Sequence, residues 1–223
     1  MKNDPFGRLL VRSALALAIG AALVAICYVW IDRPVAYWVY AHREDRPRWV
    51  EWLTYPPPQM QLWAPAALIV LMIRRAAGPF RRCGHAVFLA CLSLLVSVQF
   101  KDTLKYIFGR TWPETWVDNN PSLIRDGVSH FNFFHNGDGY ASFPSGHAVR
   151  VLSMVAVFWL AYPRAKLPLV LLSIVLLLPL VAMNYHFVGD VVAGCFVGAI
   201  VGAYCARLGN LECGPPAPGD RLA

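Results

Sequence analysis

The sequence predicts an all-α fold, a bundle of six transmembrane helices with a long outer loop between spans three and four. Of its 223 residues 57% are hydrophobic and only 15% are charged, which is too apolar for a soluble domain of this length. Six apolar stretches alternate with connections that hold the charge, Pro and Gly. A single domain is expected over 1–210, and the tail over 211–223 has too much Pro and Gly to fold alone.

The first apolar stretch covers 13–31, and its 19 uncharged residues are enough to cross roughly 30 Å of hydrocarbon. Lys2 and Arg12 precede it, as basic residues do in a signal peptide. Ile26, however, stands where a cleavage site needs a small residue, so we interpret the stretch as a retained first span. The other predicted spans, some short enough to extend into their flanks, are 60–73, 86–100, 148–162, 167–181 and 187–208.

The basic residues predict the orientation, because Lys and Arg near span ends are retained on the cytoplasmic side. With both termini cytoplasmic, the inner connections are rich in bases, and the first outer loop offsets its arginines with acids. Topology therefore explains the net charge of +7, and no nucleic-acid partner is expected. The short loops favour a bacterial inner membrane. The six cysteines form no CxxC pair, so we assign no disulfide or zinc site, and the sequence carries no signal for an oligomeric state.

The connection over 109–144 is the longest between spans and lies on the predicted outer side. Its 36 residues are more than a compact bundle needs to join two helices, and loops of this length are commonly functional. It leads into Pro144-Ser145-Gly146-His147 at the start of the fourth span. A helix that begins here aims free N–H groups and its positive dipole end at the space beside Ser145, which predicts an anion site.

Two further segments carry charge at predicted outer ends of spans. His186 and Asp190 are four residues apart, so on a helix the carboxylate can accept the imidazole N–H and make the other ring nitrogen a better nucleophile. Lys105 and Arg110 follow the third span and can neutralise phosphate oxygens. Alone, each of these residues has an ordinary structural interpretation. Together, they predict one pocket that collects the outer ends of spans three, four and six.

These motifs resemble the type 2 phosphatidic acid phosphatases, the PAP2 superfamily, whose signature is Lys-x6-Arg-Pro, Pro-Ser-Gly-His and Ser-Arg-x5-His-x3-Asp. The middle motif is complete, and Lys105, His186 and Asp190 occupy their places in the other two. Both signature arginines are missing, because Trp112 and Leu180 stand in their positions.

Two nearby arginines are candidates to replace the missing pair. Arg110 precedes Trp112 by two residues, and Arg150 follows His147 by three and lies near the same helix face. We therefore expect Arg110 and Arg150 to supply the missing charge from new positions.

The resemblance implies an integral membrane lipid phosphatase that works through a phosphohistidine intermediate. His186 would attack phosphorus, Asp190 would orient it, and His147 would protonate the departing oxygen. Lys105, Arg110, Ser145, Gly146 and Arg150 would bind the phosphate, and no metal or other cofactor is required. The implied partners are the bilayer and a membrane lipid phosphate, with the active site on the periplasmic side.

Three alternatives stay open from the sequence. Ser145, His147 and Asp190 are the residue types of a serine hydrolase, although the Gly-x-Ser-x-Gly elbow is missing. The protein would use the same residues if it transferred the phosphoryl group to another lipid, or if it bound a phospholipid head group without cleaving it. Candidate substrates are undecaprenyl diphosphate, phosphatidylglycerophosphate, phosphatidate and lipid A phosphate.

Overall fold

Helices dominate the residues that the computed structural model describes, which are 5–45, 47–116 and 118–210. Only isolated bridges, and no strands, occur among those residues, so the all-α prediction is confirmed for them. The predicted tail over 211–223 lies outside the described residues. In chain order the α-helices are α1 Pro5–Ile26, α2 Asp32–Ala41, α3 Trp49–Trp52, α4 Pro56–Ala76, α5 Arg82–Phe108, α6 Leu123–Asp126, α7 Gly146–Ala161, α8 Lys166–Ala182 and α9 Val188–Leu208.

The first predicted span is part of a longer helix. A π-helical segment, Cys27–Ile31, joins α1 to α2, and the apolar helix continues over Phe6–Ala41 instead of ending at the predicted position 31. The prediction stopped there because Asp32 and Arg33 introduce charge. The helix continues because the Asp32 side chain is buried inside the protein, with hydrogen-bond partners.

Each of the other predicted spans also coincides with a helix, but the number of membrane crossings stays a prediction. Among the described residues, four helices are long and apolar enough to cross a membrane: Phe6–Ala41, Arg82–Phe108, Pro163–Ala182 and Val188–Leu208. The helix α7 is apolar but has only 16 residues.

Hydrogen bonds at both ends of α7 show how the central helices are arranged. The Arg82 guanidinium at the start of α5 donates to the Ala161 carbonyl at the end of α7, at 2.7 Å. The Ser145 N–H, just before α7, donates to the Asp190 carbonyl in the first turn of α9, at 2.9 Å. The last turn of α5 and the first turns of α7 and α9 therefore meet at one end of the bundle, called the site end below.

Glycines in α9 allow α7 to approach it at main-chain distance. A Cβ atom at Gly194, Gly198 or Gly202 would lie 2.6, 2.5 or 2.2 Å from a main-chain oxygen of α7 or of Ser145, which directly precedes it. Those separations are far below a normal contact, so only glycine fits along this face. The contact runs from Ser145 to Ser153 and fixes the register of the two helices.

Packing on the other sides of α7 is apolar, and the outermost faces of the bundle are apolar as well. Buried apolar residues of α5, α7 and α9 form one cluster, and those of α7 and α8 form another. Large apolar side chains on the outward faces are exposed, including Leu15, Ile19, Ile73, Ile174 and Leu178. Such continuous apolar surfaces are typical of helices that face lipid.

Candidate active site

The turn between α8 and α9 places His186 at the site end. Asn184 adopts a positive φ of 58°, which Asn tolerates well, and the N–H groups of Tyr185 and His186 both donate to the Leu180 carbonyl. The polypeptide therefore reverses sharply, and the imidazole points inward with only 4% of the residue exposed.

Asp190 is the acceptor at the centre of the site. It is fully buried, and its Oδ2 atom accepts hydrogen bonds from the Ser142 hydroxyl at 2.5 Å and the Phe187 N–H at 3.1 Å. The same oxygen lies 3.6 Å from Nδ1 of His186, as expected for residues four apart at a helix start. This geometry directs Nδ1 toward the carboxylate and places Nε2 on the opposite edge of the ring.

The second histidine lies across from the first. His147 is the second residue of α7, and the centroids of its ring and the His186 ring are 6.2 Å apart with an interplanar angle of 65°. The main chain of Thr54 is within hydrogen-bonding reach of the His147 ring. The structure therefore brings together two imidazoles that are far apart in the sequence.

Ser145 and Gly146 lie directly before His147, at the positive end of α7. The Ser145 hydroxyl is completely buried and has no hydrogen-bond partner among the described residues. It lacks the bond to His147 that would activate a serine nucleophile, so the structure does not favour a serine hydrolase. An unsatisfied hydroxyl beside the free N–H groups of a helix start is a donor set that suits an anion.

Lys105 lies in the last turn of α5, where its Nζ donates to the Ala141 carbonyl. The Nζ atom is also 5.5 Å from the centre of the Trp112 ring. That ring packs against the His186 ring at a centroid distance of 5.2 Å and an interplanar angle of 37°. Trp112 therefore forms an aromatic wall beside the histidine, at the position where the family signature has an arginine.

Arg150 and Lys101 supply cationic side chains on the other side of Gly146. A Cβ atom built on Gly146 would lie 3.0 Å from both Nη1 of Arg150 and Cδ of Lys101. The Nε of Arg150 donates to Gln61 of α4 at 2.5 Å, and the buried Lys101 pairs with Asp102 at 2.5 Å. Arg150 lies where the sequence placed it, next to the predicted anion site.

Arg110 has a different position from the phosphate-binding one expected from the sequence. The residue is completely buried, with Nη1 bound to Oδ1 of Asp190 at 2.6 Å and Nη2 bound to Oδ2 of Asp32 at 2.7 Å. Its plane lies over the Phe187 ring, 4.1 Å from the centroid. Because both ends of the guanidinium bind carboxylates, Arg110 supports Asp190 from behind and does not reach into the space between the histidines.

Burial and neighbouring charges together set the pKa values of His186 and Arg110, which lie outside the helices. Burial lowers the pKa of His186 below the ordinary value of 6.5, against the opposing effect of the nearby Asp190 carboxylate. His186 is therefore neutral at neutral pH, as a nucleophile must be. Burial also acts to lower the pKa of Arg110, but the charges of Asp190 and Asp32 outweigh it and raise that pKa, so Arg110 stays a cation.

Sequence reasoning missed four residues that complete the site: Asp32, Gln61, Trp112 as a wall, and Ser142. The Lys101 side chain is also buried beside Gly146. The available signal was the acidic residue at the end of the first apolar stretch, but such a residue also commonly ends a span. Nothing local connects Asp32 with Arg110, which lies 78 positions away.

The sequence was also compared with known protein families, curated proteins and solved structures. The sequence profile of the PAP2 superfamily matches residues 86–211, more than half of the chain. Lipid A 1-phosphatases from Rhizobium etli (strain ATCC 51251 / DSM 11541 / JCM 21823 / NBRC 15573 / CFN 42) and Rhizobium johnstonii (strain DSM 114642 / LMG 32736 / 3841) are each 32% identical over 115 residues. The match covers 48% of this chain and 47% and 44% of those proteins, so it spans about half their length. No solved structure matches at a significant level. The chain belongs to the PAP2 superfamily.

Proposed function

We propose that this protein is an integral membrane lipid phosphatase that removes a phosphate group from a lipid phosphate or diphosphate. One observation carries the proposal. Two imidazoles with ring centroids 6.2 Å apart lie beside a helix start and a buried hydroxyl that has no partner among the described residues. Membership of the PAP2 superfamily and the similarity to lipid A 1-phosphatases support the same reaction class.

The reaction begins with attack by Nε2 of the neutral His186 on phosphorus. The bond between phosphorus and the lipid oxygen breaks as the P–N bond forms, and His147, which the bound phosphate anion keeps protonated, gives its proton to the departing oxygen. His147 then accepts a proton from water, which attacks the phosphohistidine, releases phosphate and regenerates His186. Asp190 holds the ring in place and stabilises the positive charge that His186 acquires.

The phosphate oxygens are bound by the cations and donors around Gly146. These groups are the Lys105 ammonium, the Ser145 hydroxyl, the Gly146 N–H and the Arg150 guanidinium. We add Lys101 to this group because its Cδ atom lies close to Gly146. Lys101 takes the place in this group that the sequence had given to Arg110. Together they supply positive charge where the transition state concentrates negative charge. The protein groups suffice for this chemistry, so we propose catalysis without a metal ion.

The substrate is an amphiphile whose phosphate reaches the site end while its chains remain in the bilayer. The large apolar side chains exposed around the bundle suit that arrangement. Because the curated relatives are lipid A 1-phosphatases, lipid A is the first compound to test, followed by phosphatidate, phosphatidylglycerophosphate and undecaprenyl diphosphate. We further propose a bacterial inner membrane location, with the site end periplasmic and both termini cytoplasmic.

The direct test is phosphate release by the purified protein from this panel in detergent micelles containing EDTA. We expect release from at least one lipid, and a loss of about 10³-fold or more in His186→Ala, because no other group replaces the nucleophile. His130→Ala is the matched control, since His130 is an exposed histidine in the connection between α5 and α7. We expect this variant to keep normal activity.

Other outcomes of the same assay contradict parts of the proposal. Binding of lipid phosphates without release would indicate a head-group-binding protein. Activity abolished by EDTA would indicate a metal-dependent reaction. A phosphorylated lipid product in place of inorganic phosphate would indicate a phosphotransferase.

A further inference from the structure

Asp32, on the first helix, is connected to the nucleophile through two ion pairs. Its Oδ2 binds Nη2 of Arg110 at 2.7 Å, and Nη1 of the same guanidinium binds Oδ1 of Asp190 at 2.6 Å. All three side chains are completely buried. Asp190 in turn lies 3.6 Å from Nδ1 of His186. The chain of contacts therefore runs from the membrane-embedded first helix to the reacting ring.

Both carboxylates are fixed by main-chain donors at the start of α9. The Gly189 N–H donates to Oδ1 of Asp32 at 2.8 Å, and the Phe187 N–H donates to Oδ2 of Asp190 at 3.1 Å. A Cβ atom at Gly189 would lie 3.0 Å from Asp32, so the first helix approaches α9 closely at this point. The positive end of α9 favours two carboxylates at this place.

Asp32, Arg110 and Asp190 together carry a net charge of minus one, and this negative charge stabilises a positive charge on His186. If Arg110 met Asp190 alone, the buried pair would be neutral and would stabilise a positive charge on the ring only weakly. The second carboxylate restores one negative charge close to His186 in a poorly screened interior. It also divides the donors of Arg110, so that Arg110 occupies Oδ1 of Asp190 and Oδ2 remains on the histidine side.

We propose that Asp32 is a positioning residue for the phosphatase reaction, which acts through Arg110 to keep Asp190 oriented and the net charge beside His186 negative. The inference rests on the proposed function for its catalytic meaning, but the charge relation itself is a property of the resting protein. Removal of Asp32 makes a protonated or phosphorylated His186 less stable, and removal of Arg110 makes it more stable. The two substitutions should therefore change the titration of His186 in opposite directions.

Several charged or titratable groups near His186 affect its titration. The charged or titratable groups that face the ring and its partners are Asp32 and Cys27 on the first helix, Lys105 on α5, Arg110, His147 on α7 and Asp190 on α9. A comparison of variants that leave Lys105 and His147 unchanged isolates the contribution of the Asp32–Arg110–Asp190 triad.

The experiment follows the His186 ring by NMR in protein that carries ¹³C-labelled histidine in detergent micelles. The signal is assigned by its loss in His186→Gln. Relative to the wild type, we expect the titration midpoint to fall by about one pH unit in Asp32→Asn and to rise by about one unit in Arg110→Gln. The double variant carries the original net charge and should return close to the wild-type midpoint. Asp118→Asn, at an exposed position with a positive φ of 42°, is the matched control and leaves it unchanged.

Activity measurements on the same proteins complete the test. In Asp32→Asn we expect kcat to fall about tenfold with little change in KM, and the acid limb of the pH–rate profile to move to lower pH with the NMR midpoint. The proposal would be overturned if the His186 midpoint of every folded variant equalled that of the wild type. It would also be overturned if the midpoint moved in the same direction in Asp32→Asn and Arg110→Gln. Either single variant suffices if the other does not fold. If the wild type releases no phosphate from any lipid, the proposed function fails, whereas the NMR midpoints still decide the role of Asp32.

Discussion

Arg110 and Arg150 show how one residue type takes two roles at the same site. Arg110 is completely buried between two carboxylates, so its charge is already neutralised by the protein. Arg150 is only partly buried and uses Nε for a neutral amide, while its Nη1 lies close to Gly146 at the start of α7. An anion that enters beside Ser145 therefore meets the charge of Arg150 and not that of Arg110.

Arg150→Ala should reduce kcat/KM for the lipid phosphate by about 10²-fold, because removal of one charged donor to the transition state typically costs that much. Lys101→Met should reduce it in the same direction, whereas Arg164→Ala, at an exposed arginine, should have no effect. The measurement is phosphate release at matched amounts of folded protein. Near-normal rates in both Arg150→Ala and Lys101→Met would show that neither cation binds the phosphate.

At the scale of the elements, the close contact of α7 with α9 holds the two halves of the site together. His147 is on one helix, Asp190 is on the other, and His186 lies just before the second. The glycines that face α7 leave no space between the two main chains. The distance between the histidines is therefore fixed by main-chain packing rather than by flexible side chains.

Gly198→Ala tests this contact, because the new methyl group would lie 2.5 Å from a main-chain oxygen of α7. We expect it to destabilise the protein by about 1–3 kcal/mol, a typical cost of overpacking, and to lower activity as the helices separate. Gly78→Ala is the matched control, since a Cβ there has nothing within 4 Å. Thermal unfolding in detergent measures the difference in stability between the two variants. Equal unfolding midpoints would show that α7 and α9 can move apart without loss of stability.

Sequence reasoning predicted the helices well and the site in part, and the reasons are physical. Apolar stretches bounded by charge fold as helices, so each predicted span coincides with one. Ser145, His147, His186 and Asp190 lie together because each is at or near a helix start at the site end. Local sequence does not show which partner a charged side chain will find. Arg110 was for that reason assigned to a phosphate, although it binds Asp32 and Asp190.

At the scale of the whole molecule, four distant parts of the chain meet at the site end. They are the junction of the first helix at Asp32, the end of α5 at Lys105, the start of α7 and the start of α9. Every part brings a charged or polar group into an otherwise apolar bundle. Burying such a group costs free energy, unless it is paired with another polar group or has a functional role. We attribute this concentration of charge to phosphoryl transfer.

The phosphorylated enzyme is the most direct test of this account. Wild-type and variant proteins are mixed with a ³²P-labelled lipid phosphate that the wild type hydrolyses, quenched in alkali and counted. We expect stable label on the wild type and none on His186→Gln, which lacks the nucleophile. The label should be lost in acid, as for a phosphorus–nitrogen bond. Label that persists on His186→Gln would contradict the assignment of His186 as the nucleophile.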